Sequence, residues 1–290
     1  NNAQIYVYNV TQRRYTQVTN KRIDEGIDLF DVKGFISSPF LSGDGKWLTF
    51  LSGYNYNGTA KPNNADLNGE IFLYRVGDPT NQVTQVTDTA ETAEVPEDGS
   101  VNVLSRFGKH LSDDGSLLVF ESAGGVAPVQ EGAKIRDVFL YNRNTATFTQ
   151  ITAQDVGKRD LSDYNYFPSL NSTGKFITFT SVLNLTPAST SSLTTDNADG
   201  SREVFRYDIA NNKFRQITYT DLSGFVLDQR ANTSSAFADS SGNALTFTYD
   251  QNLIGTNGAA IQDVFQAYVL PVTSTNATAP AAANAASFDA

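Results

Sequence analysis

"DVFLYNRNTATFTQIT", residues 137–152, sets two short β-branched and aromatic runs on either side of a polar turn, the chemistry of two paired strands. Its last five letters recur. "YTQVT" stands at 15–19, "VTQVT" at 83–87, "FTQIT" at 148–152 and "FRQIT" at 214–218. Reading backwards from each gives "QIYVYNV" at 4–10, "EIFLYRV" at 70–76, "DVFLYNR" at 137–143 and "EVFRYDI" at 203–209, with a weaker "DVFQAYV" at 263–269. A third block comes before these: "LSGDGKWLTFLS" (41–52), "LSDDGSLLVFES" (111–122), "LNSTGKFITFTS" (170–181) and "ADSSGNALTFTY" (238–249). From Tyr6 through Phe72, Phe139 and Phe205 to Phe265 the steps are 66, 67, 66 and 60 residues, a steady internal period.

Each block carries strand chemistry. In "WLTFL", Leu48 and Phe50 point one way while Trp47, Thr49 and Leu51 point the other. "GDG", "DDG", "STG" and "SSG" are tight turns, in which glycine supplies positive φ and Asp or Ser bonds its own backbone. One unit therefore reads as short strand, glycine turn, strong strand, variable loop, aromatic strand, short turn and "TQVT" strand. Four antiparallel strands per unit predict an all-β fold, a β-propeller of four to five four-stranded blades. No stretch carries a sustained helical period.

The blocks "LSDDGSLLVF…DVFLYNRNTATFTQIT" resemble the TolB-type, WD40-like (PD40-type) propeller repeat over roughly residues 4–270. The usual unit of that family is about forty residues, so each unit here has a surplus. The surplus lies in the connections from second to third strand: 53–69, 123–136 and 182–202. The inter-blade segments 20–38, 88–108 and 153–166 are equally long. In a propeller both classes of connection lie on one face, which makes that face the expected binding surface. Propellers of this family serve as partner-binding modules, surface proteins and accessory domains of peptidases, and the resemblance implies that range of roles.

The propeller is expected over 1–270, possibly closed by pairing of the first strands with the last blade. Residues 271–290 are Ala-, Thr- and Asn-rich and read as a tail or linker. With no methionine, even at position one, the chain reads as processed or excised from a longer protein. A net charge of −10 opposes nucleic acid and anionic lipid. Cysteine is absent, which excludes disulfides, thiolate metal sites and thiol nucleophiles. No apolar run is long enough to span a membrane as a helix. This composition suits a bacterial periplasm or cell surface.

The lone histidine, His110, falls near a first strand, where packing is the usual reason for such a residue. Glu70, Asp137, Glu203 and Asp263 open the third strand of successive units, with Gln4 in the equivalent place. A group repeated in every blade reads as architectural. In "TTDNADGSRE", Asp196, Asn197, Asp199 and Glu203 are the oxygen ligands that a calcium ion would take, although Thr195 stands where the EF-hand pattern needs its first Asp. A solvated, Asx-rich turn explains the same letters.

Tyr54 and Tyr56 in "GYNYNG", Tyr164 and Tyr166 in "SDYNYFPS", and Arg136 and Arg202 closing two long loops are the candidate contact residues. The leading expectation is a non-catalytic propeller that binds a protein or polysaccharide partner on its long-loop face. The alternatives are a structural subunit that self-assembles through unpaired strands, and a carboxylate-based hydrolase or lyase. Two carboxyl groups about 5–10 Å apart at the channel mouth would favour the last.

Overall fold

The computed structural model describes residues 3–21, 35–57, 62–80, 82–90, 101–105, 108–124, 126, 136–152, 165–186, 197, 200–219, 236–249 and 263–268. Every regular element among them is a β-strand. The chain divides into two compact units, one of residues 1–106 and 110–161, the other of 107–109 and 162–290.

The first unit opens with a hairpin of β1 (Tyr6–Asn9) and β2 (Arg14–Gln17). Next comes a sheet of β3 (Ile36–Leu41), β4 (Trp47–Ser52), β5 (Glu70–Arg75) and β6 (Val83–Gln85). The following sheet holds β7 (Asn102–Val103), β8 (Leu117–Ser122), β9 (Asp137–Asn142) and β10 (Thr147–Gln150). The second unit contains β11 (Asn165–Leu170), β12 (Phe176–Ser181), β13 (Glu203–Asp208) and β14 (Lys213–Gln216). It ends in a three-stranded sheet of β15 (Phe237–Ala238), β16 (Ala244–Tyr249) and β17 (Asp263–Tyr268). In each sheet the strands lie antiparallel in chain order, as a meander. The expected four-stranded unit is thus complete three times.

The expected alternation along the second strand takes an unusual form. β4 is buried on both faces, because sheets stack face to face within the unit. Leu48 and Phe50 pack with Ile5 and Val18 of the hairpin side. Leu51 and Trp47 pack with Leu118 and Phe120 of the next sheet. The two faces predicted from the period of two are therefore both apolar, each meeting a different neighbour.

One aromatic pair marks each sheet. Phe50 faces Phe72, Phe120 faces Phe139 and Phe179 faces Phe205 as register partners on the second and third strands. Their rings stack at 5.5, 5.7 and 5.9 Å. Phe247 and Phe265 hold the same register in the last sheet. Such cross-strand aromatic pairs stabilise the ladder beyond their buried area.

The glycine turns also repeat atom for atom. The amide of Gly45 bonds the Ser42 carbonyl, that of Gly115 the Ser112 carbonyl, that of Gly174 the Asn171 carbonyl and that of Gly242 the Asp239 carbonyl. All four glycines have positive φ. Gly115 and Gly242 have a second reason to lack a side chain. A Cβ on Gly115 would stand 2.5 Å from the Trp47 ring, and one on Gly242 would stand 2.1 Å from that of Phe176. Arg143 completes the first contact. Its guanidinium lies 3.9 Å from the Trp47 ring centre, and its Nε donates to the Gly115 carbonyl at 2.9 Å.

The recurring pentapeptide is explained by its last threonine. The backbone N–H groups of Ile5, Ile71, Val138 and Val204 each donate to a threonine hydroxyl at 2.9 Å: Thr19, Thr87, Thr152 and Thr218. In three units the same hydroxyl donates to the acid that opens the third strand, Thr87 to Glu70, Thr152 to Asp137 and Thr218 to Glu203. The glutamine of the motif adds a bond, Gln17, Gln85 and Gln216 each donating through Nε2 to the carbonyl of that threonine. Threonine is required because one buried hydroxyl must accept and donate at once.

Two substitutions test this reading. Thr87→Val keeps the shape but leaves the Ile71 amide and Glu70 each short of a partner; unfolding in urea should show a loss of about 2–3 kcal/mol. Thr84→Val on the exposed side of β6 should change stability by less than about 0.5 kcal/mol. Among the turns, Gly45→Ala meets only the φ penalty of about 1–2 kcal/mol, since a Cβ there has open space. Gly115→Ala must also displace Trp47, so its thermal midpoint should fall clearly further.

Candidate functional site

The repeated acids are spent on the framework. Glu70 is buried; its Oε1 accepts from the amide and hydroxyl of Thr89, both at 2.7 Å. Its Oε2 accepts from the Thr87 hydroxyl and, at 3.1 Å, from Asn102 Nδ2 on β7 of the next sheet. Burial pushes this carboxyl up to about 7, against the pull of the Thr87 and Thr89 bonds. Asp137 accepts from the Thr152 hydroxyl and from Gln150 Nε2. His110 is fully buried, its ring nitrogens 2.8 Å from the Val119 carbonyl and 2.7 Å from that of Ser105. Burial holds its pKa below the ordinary value.

Of the four calcium candidates, Asp196 and Asp199 lie outside the described residues. Asn197 and Glu203 meet at the Ser201 hydroxyl, which stands 2.9 Å from Asn197 Oδ1 and 2.7 Å from Glu203 Oε1. Asn197 Nδ2 donates to the Ser201 carbonyl at 2.7 Å. Asn64, six residues before Glu70 as Asn197 is before Glu203, does the same to the Asn68 carbonyl at 2.7 Å. The asparagine thus locks the same loop in two units. Among the described residues no three His, Cys, Asp or Glu side chains gather as around a metal ion.

Of the loop aromatics, Tyr164 lies outside the described residues. Tyr166 lies on β11 with the Arg202 guanidinium 4.5 Å from its ring centre, so two candidates from different elements meet there. Arg136 is buried. Tyr54 is buried as well, its amide donating to the Ser52 hydroxyl at 3.1 Å.

Tyr56 behaves differently. It is half-buried, edge-on to Phe72 at 4.9 Å and to Phe50 at 5.9 Å, and burial pushes its phenol up to about 12. The Lys21 ammonium lies 5.0 Å from its ring centre and donates to the Asn55 carbonyl at 2.7 Å. Tyr56 and Lys21 line a cleft of about 590 Å³. Asn20 joins them from the segment after β2, Asn57 and Pro62 from the loop after β4, and Gln82 to Gln85 form its remaining wall. In the meander the loop after β4 and the segment after β2 both lie at the long-loop end of their strands. The cleft therefore opens on the side from which binding was expected.

Sequence reasoning found Tyr56 here but missed Lys21, Asn57 and Gln85. A signal existed in the alignment of the repeats. Asn57 stands five residues after Ser52, as Thr186 stands five after Ser181. Thr186 donates to Gln216 Oε1 at 3.3 Å. Asn57 donates instead to the Pro62 carbonyl at 2.6 Å, and the buried Oε1 of Gln85, the counterpart of Gln216, has no hydrogen-bond partner.

No family model matches the chain. No curated protein matches it either. Solved structures do resemble it. A study of two prolyl endopeptidases provides one at TM-score 0.52 and 11% identity, covering 90% of this chain and 30% of that one. TolB from Acinetobacter baumannii matches at TM-score 0.46 and 13% identity, over 91% of this chain and 45% of that one. The β-propeller domain of the Trilobed protease from Pyrococcus furiosus matches at 0.40 and 9%, over 81% and 55%. The chain spans less than half the length of the first two. At such identities the likeness bears on fold alone, and it agrees with consecutive four-stranded meanders packed face to face. The fold is a β-propeller. Its sheets are the blades, and among the described residues no helix is long and apolar enough to cross a membrane.

Glu70 makes the first blade sensitive to pH in a definite direction. The native carboxyl titrates near 7 and the free one at 4.5, so the folded chain keeps a proton that the unfolded chain has lost. Stability from this group is present at low pH, falls as pH rises from about 4.5 to about 7, and is level above that. Denaturation of wild type and Glu70→Gln at several pH values should show this fall only in the wild type.

Proposed function

We propose that this chain is a non-catalytic binding propeller, working in a bacterial periplasm or at a cell surface, that holds a protein or polymeric partner at the long-loop ends of its blades. The reading rests on one contrast. The acids that recur from blade to blade are engaged in holding strands together, whereas the departures from the repeat collect at a loop end, around the cleft of Lys21, Tyr56, Asn57 and Gln85. Single sites need such asymmetry on a repeating scaffold.

Immobilised protein tested against purified surface polysaccharides and extended peptides should show saturable binding, weakened about tenfold in Lys21→Met. Assays for released reducing ends and amines on the bound polymer should stay at background. Steady turnover, or no binding by any member of either panel, would overturn the reading.

A second reading is favoured by the hairpin. Tyr6, Tyr8 and Tyr15 are 55%, 45% and 70% exposed, while Phe72, Phe139 and Phe205, which match Tyr6, are at most 3% exposed. This face is covered by neighbouring strands and blades elsewhere in the repeat, so a blade of a second copy is its natural complement. Sedimentation velocity should then show concentration-dependent oligomers that the triple substitution of these tyrosines by serine removes. A wild-type monomer at all concentrations would exclude it.

A further inference from the structure

The binding reading leaves the ligand open, and the cleft of the first blade narrows it. Four of its lining side chains are primary amides, Asn20, Asn57, Gln82 and Gln85, each with both donor and acceptor capacity. Lys21 is the one charged side chain in its lining, and no carboxylate lines it. Val18, Pro62, Val83 and the half-buried Tyr56 give it apolar wall. Its volume of about 590 Å³ falls within the range of small-ligand clefts.

The deepest polar group fixes the chemistry. Gln85 is only 4% exposed; its Nε2 is committed to the Thr87 carbonyl and its Oε1 has no partner. In the third blade the equivalent oxygen is met by Thr186, a hydroxyl. In the first blade the loop residue turns to Pro62, and a cleft stands beside the unmet oxygen. A ligand entering here must bring a donor, so a carboxylate, which only accepts, does not fit it. An extended peptide added to the edge of β6 would find a strand of only three residues, too short for a ladder. Paired hydroxyls on a ring with an apolar C–H face match amides, ammonium and apolar wall together.

We propose that the cleft between the β1–β2 hairpin and the first blade, lined by Lys21, Tyr56, Asn57 and Gln85, is a subsite for a neutral oligosaccharide, with a sugar hydroxyl donating to Gln85 Oε1. This rests on the binding reading above and specifies where and what it binds.

The test is calorimetric titration of the full chain with neutral tetrasaccharides of glucose, mannose and xylose, with tetragalacturonate and an uncharged Thr/Val hexapeptide as counter-probes. At least one neutral tetrasaccharide should bind. Asn57→Thr, which restores the residue of the third blade, should weaken it about tenfold or more. Gln85→Met should do the same, and Asn144→Thr in a distant turn should leave it unchanged. Thermal melts of each variant separate loss of the site from loss of the fold.

Failure of every neutral sugar at about 10 mM, where binding contributes less than the weakest useful affinity, overturns the proposal. So does sugar binding that Asn57→Thr and Gln85→Met leave intact, or binding of the peptide or the acidic sugar alone. In that last case the binding reading survives and only the subsite falls; silence from all probes here and in the polymer panels removes both.

Discussion

A single threonine hydroxyl, caught between a backbone amide and a carboxylate, is what the architecture depends on. Thr87, Thr152 and Thr218 each stop the fourth strand and fasten it to the start of the third. Without that fastening the outer strand would end in an unpaired amide and a buried, under-satisfied acid. Both are expensive in a dry interior, and neither cost can be met by apolar packing. The N-terminal copy keeps the amide half of the arrangement through Thr19 while Gln4 replaces the acid, its side chain bonding the main chain of Lys21. The clasp therefore also holds Lys21, at the rim of the cleft.

A second layer of constraint joins blade to blade. Asn102 belongs to the second blade, yet its Nδ2 bonds the Gly69 carbonyl, Glu70 and Thr89 of the first. Its Oδ1 accepts from Ser122, the last residue of β8. The side chain thus links the end of its own second strand to the acid of the neighbouring blade. Apolar stacking supplies the bulk of the adhesion; these bonds set which residues lie opposite which.

Much of this was legible from residues alone, because the interactions repeat and repetition leaves a period. The threonine clasp appears as "TQVT", the aromatic pairs as Phe50 with Phe72 and their counterparts, the turns as Gly with Asp or Ser. The architectural role of Glu70, Asp137 and Glu203 followed from their recurrence, and their hydrogen bonds agree with it. What the sequence hid were choices of rotamer. Nothing in the letters says that Asn57 turns to Pro62 while Thr186 turns to Gln216, and the cleft depends on that difference. Asn197 looked like a possible ion ligand because its loop is acidic; its counterpart Asn64, in a loop of other composition, shows the same bond to the fourth residue onward. The aromatic loop residues were likewise ambiguous: Tyr54 and Tyr56 are two letters apart, and only the second reaches the cleft.

The seating of Gly115 on Trp47, and of Gly242 on Phe176, has a bearing on how such a chain can change over time. Lock and key sit in different blades but at the same repeat position in each, the turn glycine and the first residue of the second strand. A blade copied or exchanged whole carries a key for one neighbour and a lock for the other. Number of blades is then free to drift by duplication or loss, while single substitutions at either partner are held back unless both move together.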